Sequence, residues 1–513
     1  MNSGFYEKSN ITDKYHYINI SYDELLQKSD AEVDSWIDEL REYIITQWDE
    51  ENQPPVIGQN RGDIIHNWSK LFGYDVNEFF NTETKVIKNF NKFASGVNQF
   101  FPTMLKTKIS MGVSSENATS IYDYFKEDGL RDKFKKAMLR GLYKDSMYSF
   151  SKSVKRQEMG MTDKEFYKHY NNHEKQGITV VKMSNKSHVG LHQPYPFLVL
   201  SSKEVTDLLD SGHLTKQNLR TVDKIENSYT LKNGEDRYYW YWVRLYNRQQ
   251  KIFPTALQIF RLGLGQPAVN FPALTAKFLY EHFTEHIKDN DITVYDPSAG
   301  WGGRILGAMS TDRVLHYIGT DPNPDNVGRY ENVAEFYNTH CFQSNPFWGK
   351  DKPNTYELYQ MGSEVIGNHP IFSRNSFDFV FTSPPYFNRE QYSQDKNQSF
   401  KKFSAYEDWR DNFLKPTLTT AYTLLKEDRY LCWNIADIKI GEDKYIPLEQ
   451  DSIDIVESLG GEYQGIYKML MTRMVGIDTS KIKNSVQVKH HPLQRGGDVY
   501  KFEPILVFYK GKK

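Results

Sequence analysis

Apolar residues recur at three- and four-residue spacing through YDELLQKSDAEVDSWIDELREYIITQW, and this period predicts helix over most of residues 1–110. Pro54-Pro55 and the stretch 58–62, bounded by glycines, interrupt it. A further helix is expected over the basic segment near 133–143. From about residue 177 to 246 the texture turns β-like: GITVVKM, PYPFLVLS and RYYWYWVRLY are rich in β-branched and aromatic residues. From about Phe253 helical and strand patterns alternate. FPALTAKFLYEHFTEHI reads as helix, DITVYD as a short strand, PSAGWGG as a small-residue turn, RILGAMS as helix and HYIGTD as strand. SFDFVFTSPPYF, a long helix near 406–425 and the strand RYLCWNIADI follow, and VYKFEPILVFYK reads as a last strand. Such alternation predicts an α/β fold with a parallel sheet. A boundary near 247–260 divides the chain into residues 1–250, mainly helical with some β, and residues 251–513, the α/β domain, with a basic insertion at about 467–500.

Composition narrows the class. The chain has 513 residues, 39% hydrophobic and 25% charged, which fits a globular protein of two or three domains. No run approaches the roughly 18–20 apolar residues of a membrane span, and the start lacks the apolar core of a secretory signal. Cys341 and Cys432 are too few for a disulfide framework or a zinc site, so a reducing cytoplasm is the expected compartment. His490-His491, a bare pair without further ligands, reads as surface, and no metal is expected. Net charge is −2, yet residues 131–156 carry nine Lys/Arg against two Asp, and the tail from Tyr467 carries ten against three acids. Two such stretches in a near-neutral chain suit positive potential gathered on a cleft for a polyanion.

Three segments carry chemistry. In Asp296-Pro297-Ser298-Ala299-Gly300-Trp301-Gly302-Gly303 a strand ends in a turn of small residues that opens a helix. Its glycines let backbone approach a ligand, and the helix start offers free N–H groups. In an open α/β sheet this turn lies at the ligand crevice. About 20 residues on, HYIGTD ends in Asp321, an acid suited to ribose hydroxyls. These two segments also fit NAD-type binding, although GxGxxG is absent. The third is Thr382-Ser383-Pro384-Pro385-Tyr386 at the end of a hydrophobic strand. Paired prolines fix the backbone and remove two N–H donors, so the Ser383 hydroxyl and Pro384 carbonyl can point together at one donor. The amino group of a nucleobase is a poor nucleophile because its lone pair is delocalised. Two acceptors on its N–H bonds favour a pyramidal nitrogen that can attack a sulfonium methyl. Tyr386 can stack on the base, a contact worth about 1–3 kcal/mol.

Taken together, the segments resemble the S-adenosylmethionine-dependent amino-methyltransferases that modify DNA, whose signature is [DNS]-P-P-[YFW]. The form Thr-Ser-Pro-Pro-Tyr resembles the version of the cytosine-N4 enzymes; adenine-N6 enzymes more often begin it with Asp or Asn. The resemblance implies a Rossmann-like class I methyltransferase sheet, S-adenosyl-L-methionine as cofactor, DNA as partner, and catalysis by Ser383, Pro384, Pro385 and Tyr386. It implies cofactor contacts from Phe271, Pro272 and Thr275, from Asp296, Ser298, Ala299, Gly300 and Gly302, and from Asp321, with Glu364 as a further acid near the third strand. Phe387, Arg389, Lys401 and Lys402, directly after the tetrapeptide, are expected on the nucleic acid. The order of segments, cofactor turn before Ser-Pro-Pro-Tyr, resembles the gamma-like arrangement, whereas many cytosine-N4 members reverse it. N4 of cytosine is the favoured target, N6 of adenine or an RNA base the alternatives. Such an enzyme leaves room for a restriction endonuclease as partner. A carbon-5 enzyme needs a nucleophilic cysteine, usually after proline; Cys341 follows His and Cys432 follows Leu.

Overall fold

A computed structural model of the chain describes residues 18–135 apart from 22, 23, 26, 52, 53, 55–58, 89–92 and 110–117. It describes strand backbone at 197–201, 229–230 and 237–242, and residues 268–512 apart from 290, 343–349, 351, 371, 373–376, 388, 389, 394, 441–443, 474–492 and 496–497. Most of the basic segment 131–156, most of the insertion at 467–500, and Arg389 therefore lie outside the described residues. Arg41–Asp128 and Gly265–Lys513 fall in one compact unit, and Asn10–Leu40 with Gly129–Leu264 in another. The second unit contains the antiparallel strands Phe197–Ser201, Arg237–Trp242 and Tyr229–Thr230 in that spatial order. No helix among the described residues is long and apolar enough to cross a membrane.

The first unit is built on a twisted mixed sheet. Its N-terminal part supplies the helix α1 (Arg61–Trp68) and the two-residue strands β1 (Phe80–Asn81), β2 (Val86–Ile87) and β3 (Lys108–Ile109). Then follow α2 (Ala273–Thr284), β4 (Asp291–Asp296), α3 (Gly303–Met309), β5 (Val314–Thr320), α4 (Arg329–Phe336) and β6 (Thr355–Tyr359). After these come β7 (Phe377–Thr382), β8 (Glu390–Gln391), α5 (Lys415–Leu424), β9 (Leu425–Asn434), α6 (Leu448–Ser458), β10 (Glu462–Arg473) and β11 (Asp498–Lys510). The main sheet runs β1-β2-β10-β11-β9-β7-β4-β5-β6. From β9 to β6 all neighbours are parallel, while β11 enters antiparallel between β9 and β10. The Rossmann-like α/β class expected from the sequence is the fold observed, parallel from β9 to β6, and the last strand joins the sheet as expected, antiparallel to its neighbours. The helix expected over 406–425 is a succession: Tyr406–Trp409, a π turn at Arg410–Leu414, then α5.

Burial explains the central strand. Every residue of β7 is buried. Phe379 and Phe381 enter the core shared with Val294, Ile305 and Phe271, whereas Phe377 and Val380 enter the one shared with Trp409, Leu418 and Trp433. Helices on both faces require such an unbroken apolar run. The exception, Asp378, is neutralised in place: its carboxylate meets Lys426 Nζ at 2.9 Å and Arg429 Nε at 3.2 Å. Helix α2 packs on α3 at backbone distance. A Cβ on Gly303 would lie 2.0 Å from Phe271 O, and one on Gly307 2.6 Å from Ala273 O. Lys277 on α2 is fully buried and donates to the carbonyls of Leu71, Phe72 and Tyr74 at 2.9, 2.5 and 3.2 Å. Residues 41–128 are thereby built into the same core as the sheet.

Candidate active site

Strand order reverses at β4, which has β5 on one side and β7 on the other, so a crevice opens at their carboxyl ends. Asp296 closes β4 there and is fully buried. Its carboxylate accepts from Arg304 Nε at 2.7 Å, from the Tyr317 phenol at 2.6 Å and from the Thr382 hydroxyl at 2.7 Å. The Ser298 N–H donates to Asp296 Oδ1 at 3.2 Å and to Thr382 Oγ1 at 3.1 Å. Arg304 also donates to Ser298 O. Burial works against its charge, but Asp296 together with the Tyr317 and Tyr280 phenols outweighs this and holds the guanidinium above its ordinary value. Asp296 thus ties the turn after β4 to the first residue of the Thr382–Tyr386 segment. These bonds, all made to the protein itself, hold the turn in place.

The turn is stitched to β5 as well. Ala299 N–H donates to Thr320 O at 2.9 Å, and the Thr320 hydroxyl donates to Pro297 O at 2.8 Å. Gly300 and Gly302 have φ of +68° and +81°, a region where side chains are strained. A Cβ on Gly302 would fall 2.4 Å from Phe101 Cε2, so residues of the N-terminal region press on the turn. Asn270, just before Phe271, donates to Trp301 O at 2.6 Å and accepts from Gly303 N at 3.3 Å. Phe271 packs edge-on to Phe381, Pro272 stands at the N-cap of α2, and the buried Thr275 hydroxyl has no partner among the described residues.

Asp321 follows β5 at the next position along the crevice. One oxygen accepts from Asn323 N–H at 2.7 Å and the other from the Tyr330 phenol at 2.7 Å; Tyr330 also reaches Gly300 O. Loss of hydration pushes its pKa up to about 6, against the opposing pull of these hydrogen bonds. Glu364 lies after β6, one strand further, and its carboxylate meets Lys402 Nζ at 2.6 Å. A turn of close-approaching backbone, then one acid beyond each of the next two strands, fits a nucleoside with a ribose diol and an amino-acid tail. These carboxylates keep acceptor capacity beyond the bonds they make.

The tetrapeptide stands directly beside this turn, because β7 pairs with β4 and the Thr382 hydroxyl bonds both Asp296 and the Ser298 N–H. Ser383, Pro385 and Tyr386 are partly accessible and Pro384 is buried. Tyr386 donates its phenol to Glu503 Oε1 on β11 at 2.6 Å. Phe387 corrects an expectation. It is 5% exposed, adopts φ +47° and packs against Tyr406 and Trp409, so its ring belongs to the core and not to a nucleic-acid surface. The chain turns inward there because an aromatic cluster under α5 receives it. Lys401 and Lys402 are both exposed, and Lys402 pairs with Glu364. The segment then returns over the turn: β8 pairs with β3, and Tyr392 packs on Trp301 at 5.4 Å between ring centroids.

Arg304, Tyr317, Tyr330, Phe101, Tyr392 and Glu503 were missed by reasoning from local motifs. Only Arg304, directly after the glycine pair, carried a local signal. Both cysteines are buried, and burial pushes Cys341 up to about 12 and raises Cys432 well above its ordinary value, so neither thiol is presented as a nucleophile.

Residues 377–513 match the family model described as DNA methylase, a stretch that runs from β7 through β11 and includes the tetrapeptide but not the turn after β4. The match supports the N4/N6 amino-methyltransferase family, methyl transfer as the activity, and S-adenosylmethionine as the cofactor. No curated protein matches the chain. Among solved structures, a methyltransferase dependent on S-adenosylmethionine from Agrobacterium tumefaciens is 11% identical, covers 48% of this chain and 64% of its own, with a TM-score of 0.29. A methyltransferase from Pyrococcus furiosus is 12% identical over 50% of this chain and 94% of its own, TM-score 0.25. Precorrin-6y C5,15-methyltransferase from Geobacter metallireducens is 11% identical over 48% of this chain and 92% of its own, TM-score 0.26. At these scores the fold rests on the strand order of the chain itself.

Proposed function

We propose that this protein transfers a methyl group from S-adenosylmethionine to the exocyclic amino nitrogen of a base in DNA, N4 of cytosine in preference to N6 of adenine. One observation carries the reading: the Thr382 hydroxyl bonds Asp296, which fixes Ser383-Pro384-Pro385-Tyr386 against the glycine turn that the cofactor would use. The cofactor, when bound, supplies an electrophilic methyl on a sulfonium. The turn from Pro297 to Gly302, with Asp321 and Glu364, would hold it.

The residues of the chain do the rest. Ser383 Oγ and Pro384 O accept the two N–H bonds of the amino group, localising the nitrogen lone pair; as the nitrogen takes the methyl and the methyl–sulfur bond breaks, one of these two protons would pass to solvent. Tyr386 lies against the plane of an extruded base; extrusion costs a few kcal/mol, offset by contacts in the pocket. Positioning and fixed dipoles supply the acceleration. Serine at the head of the tetrapeptide favours cytosine. DNA is favoured over RNA by the family match. A base is reached by incubating the protein with labelled S-adenosylmethionine and duplex DNA, single-stranded DNA or tRNA in parallel. Label in DNA supports the proposal, and label confined to tRNA would replace DNA by RNA as substrate.

A further inference from the structure

Tyr386 is placed by a residue 117 positions away. Its phenol donates to Glu503 Oε1 at 2.6 Å and contacts Asn434 O at 3.3 Å. Glu503 stands on β11 opposite Met469 of β10, and Asn434 is the last residue of β9. Asn434 is 1% exposed; its amide nitrogen donates to Pro504 O at 2.9 Å, while Oδ1 has no partner among the described residues. The turn after β7, the end of β9 and the middle of β11 are thus joined at the Tyr386 ring.

Resting on the proposed function, we propose that Glu503 is a positioning residue for methyl transfer, orienting Tyr386 through its phenol so that the ring is held in one attitude toward the base. A tyrosine on a strand-end turn can otherwise sample several rotamers, and stacking requires one of them. A hydrogen bond to a carboxylate is about twice as strong as a neutral one and is directional. Burial, together with the charge of Glu503, raises the Tyr386 pKa well above its ordinary value, so the phenol keeps its proton and remains the donor throughout the neutral range. A shorter or apolar residue at 503 would leave β11 paired, since strand pairing uses backbone, but would free the ring.

The test compares Glu503→Ala, Glu503→Gln, Tyr386→Phe and the double variant Glu503→Ala/Tyr386→Phe in the full chain. Methyl transfer to DNA, cofactor affinity by calorimetry and thermal melting are measured for each. Misplaced contacts cost about tenfold to a hundredfold in turnover. Glu503→Ala is expected to lower kcat in that range with cofactor affinity unchanged, and Glu503→Gln, whose amide oxygen still accepts, to restore most of it. The double variant should be no slower than Tyr386→Phe alone. A full additive loss in the double variant, or wild-type kcat in Glu503→Ala, overturns the proposal. A readout independent of turnover is fluorine NMR of 3-fluorotyrosine at position 386. Its resonance should move toward the denatured-chain position in Glu503→Ala and stay near the native one in Glu503→Gln; an unmoved resonance in Glu503→Ala also overturns the proposal. Absence of methyl transfer by the wild type, with the resonance moving as expected, would instead fault the assignment of DNA methylation.

Discussion

Ser383 and Asp296 show two ways a residue can serve this site. Ser383 is partly accessible beside the crevice, while Asp296 is buried and bonded to Arg304, Tyr317, Thr382 and the Ser298 backbone. Removing the Ser383 hydroxyl should therefore spare the architecture: Ser383→Ala is expected to lower methyl transfer about 10²-fold, the typical cost of one lost transition-state contact, with cofactor affinity measured by calorimetry unchanged. Asp321 allows a pH prediction. Its native pKa is pushed up to about 6 from an ordinary 3.8, so in that window the folded chain keeps a proton that the unfolded chain releases. Its contribution to stability is present below the ordinary value and lost as pH rises through about 6. Ribose hydroxyls need the ionised form as acceptor, so cofactor affinity should rise between pH 5 and pH 7 by roughly the fraction ionised and then level off. Asp321→Asn should flatten that dependence in a calorimetric titration. Ser383 and Asp321 were legible because a strand-end motif announces itself locally. Glu503 and Tyr330 were not, since only the fold brings them near.

At the level of elements, the two turns at the crevice act as a coupled pair. Thr382 joins them through one hydroxyl that donates to Asp296 and accepts from Ser298. Thr382→Val keeps the shape and β-branching but removes both bonds, and should lower turnover more than it lowers thermal stability, as read by kinetics and melting on the same preparation. The contact between α2 and α3 is of another kind, since backbone meets backbone at Gly303 and Gly307. Gly303→Ala should displace the Phe271 segment, weakening cofactor binding along with stability. Lys277 binds the 71–74 carbonyls from inside the core, and Lys277→Met is expected to destabilise the protein by about 2–4 kcal/mol in chemical denaturation, because three carbonyls lose their donor. The strand and helix sequence from 273 to 434 was readable from periodicity, since a central strand such as β7 is apolar throughout. The π turn at Arg410–Leu414 was not, because it preserves the apolar face of the helix around it.

On the scale of the whole molecule, the strand order puts the glycine turn, Asp321, Glu364 and the tetrapeptide along one edge of one sheet. Residues 41–128 share that compact unit: β1 and β2 extend the sheet past β10, β3 pairs with β8, and Phe101 rests on Gly302. Residues 1–110 read as mostly helical, which the helices Asp30–Glu51 and Arg61–Trp68 bear out, but the pattern showed no sign of such short strands, whose two-residue length is below any readable period. The assignment as a whole is tested most directly by incubating the protein with S-adenosylmethionine carrying a deuterated methyl and genomic DNA, then digesting the DNA to nucleosides for mass spectrometry. The account predicts label in N4-methylcytosine that falls about 10²-fold with Ser383→Ala. Label in 5-methylcytosine, or equal label from the Ser383→Ala protein, would contradict it.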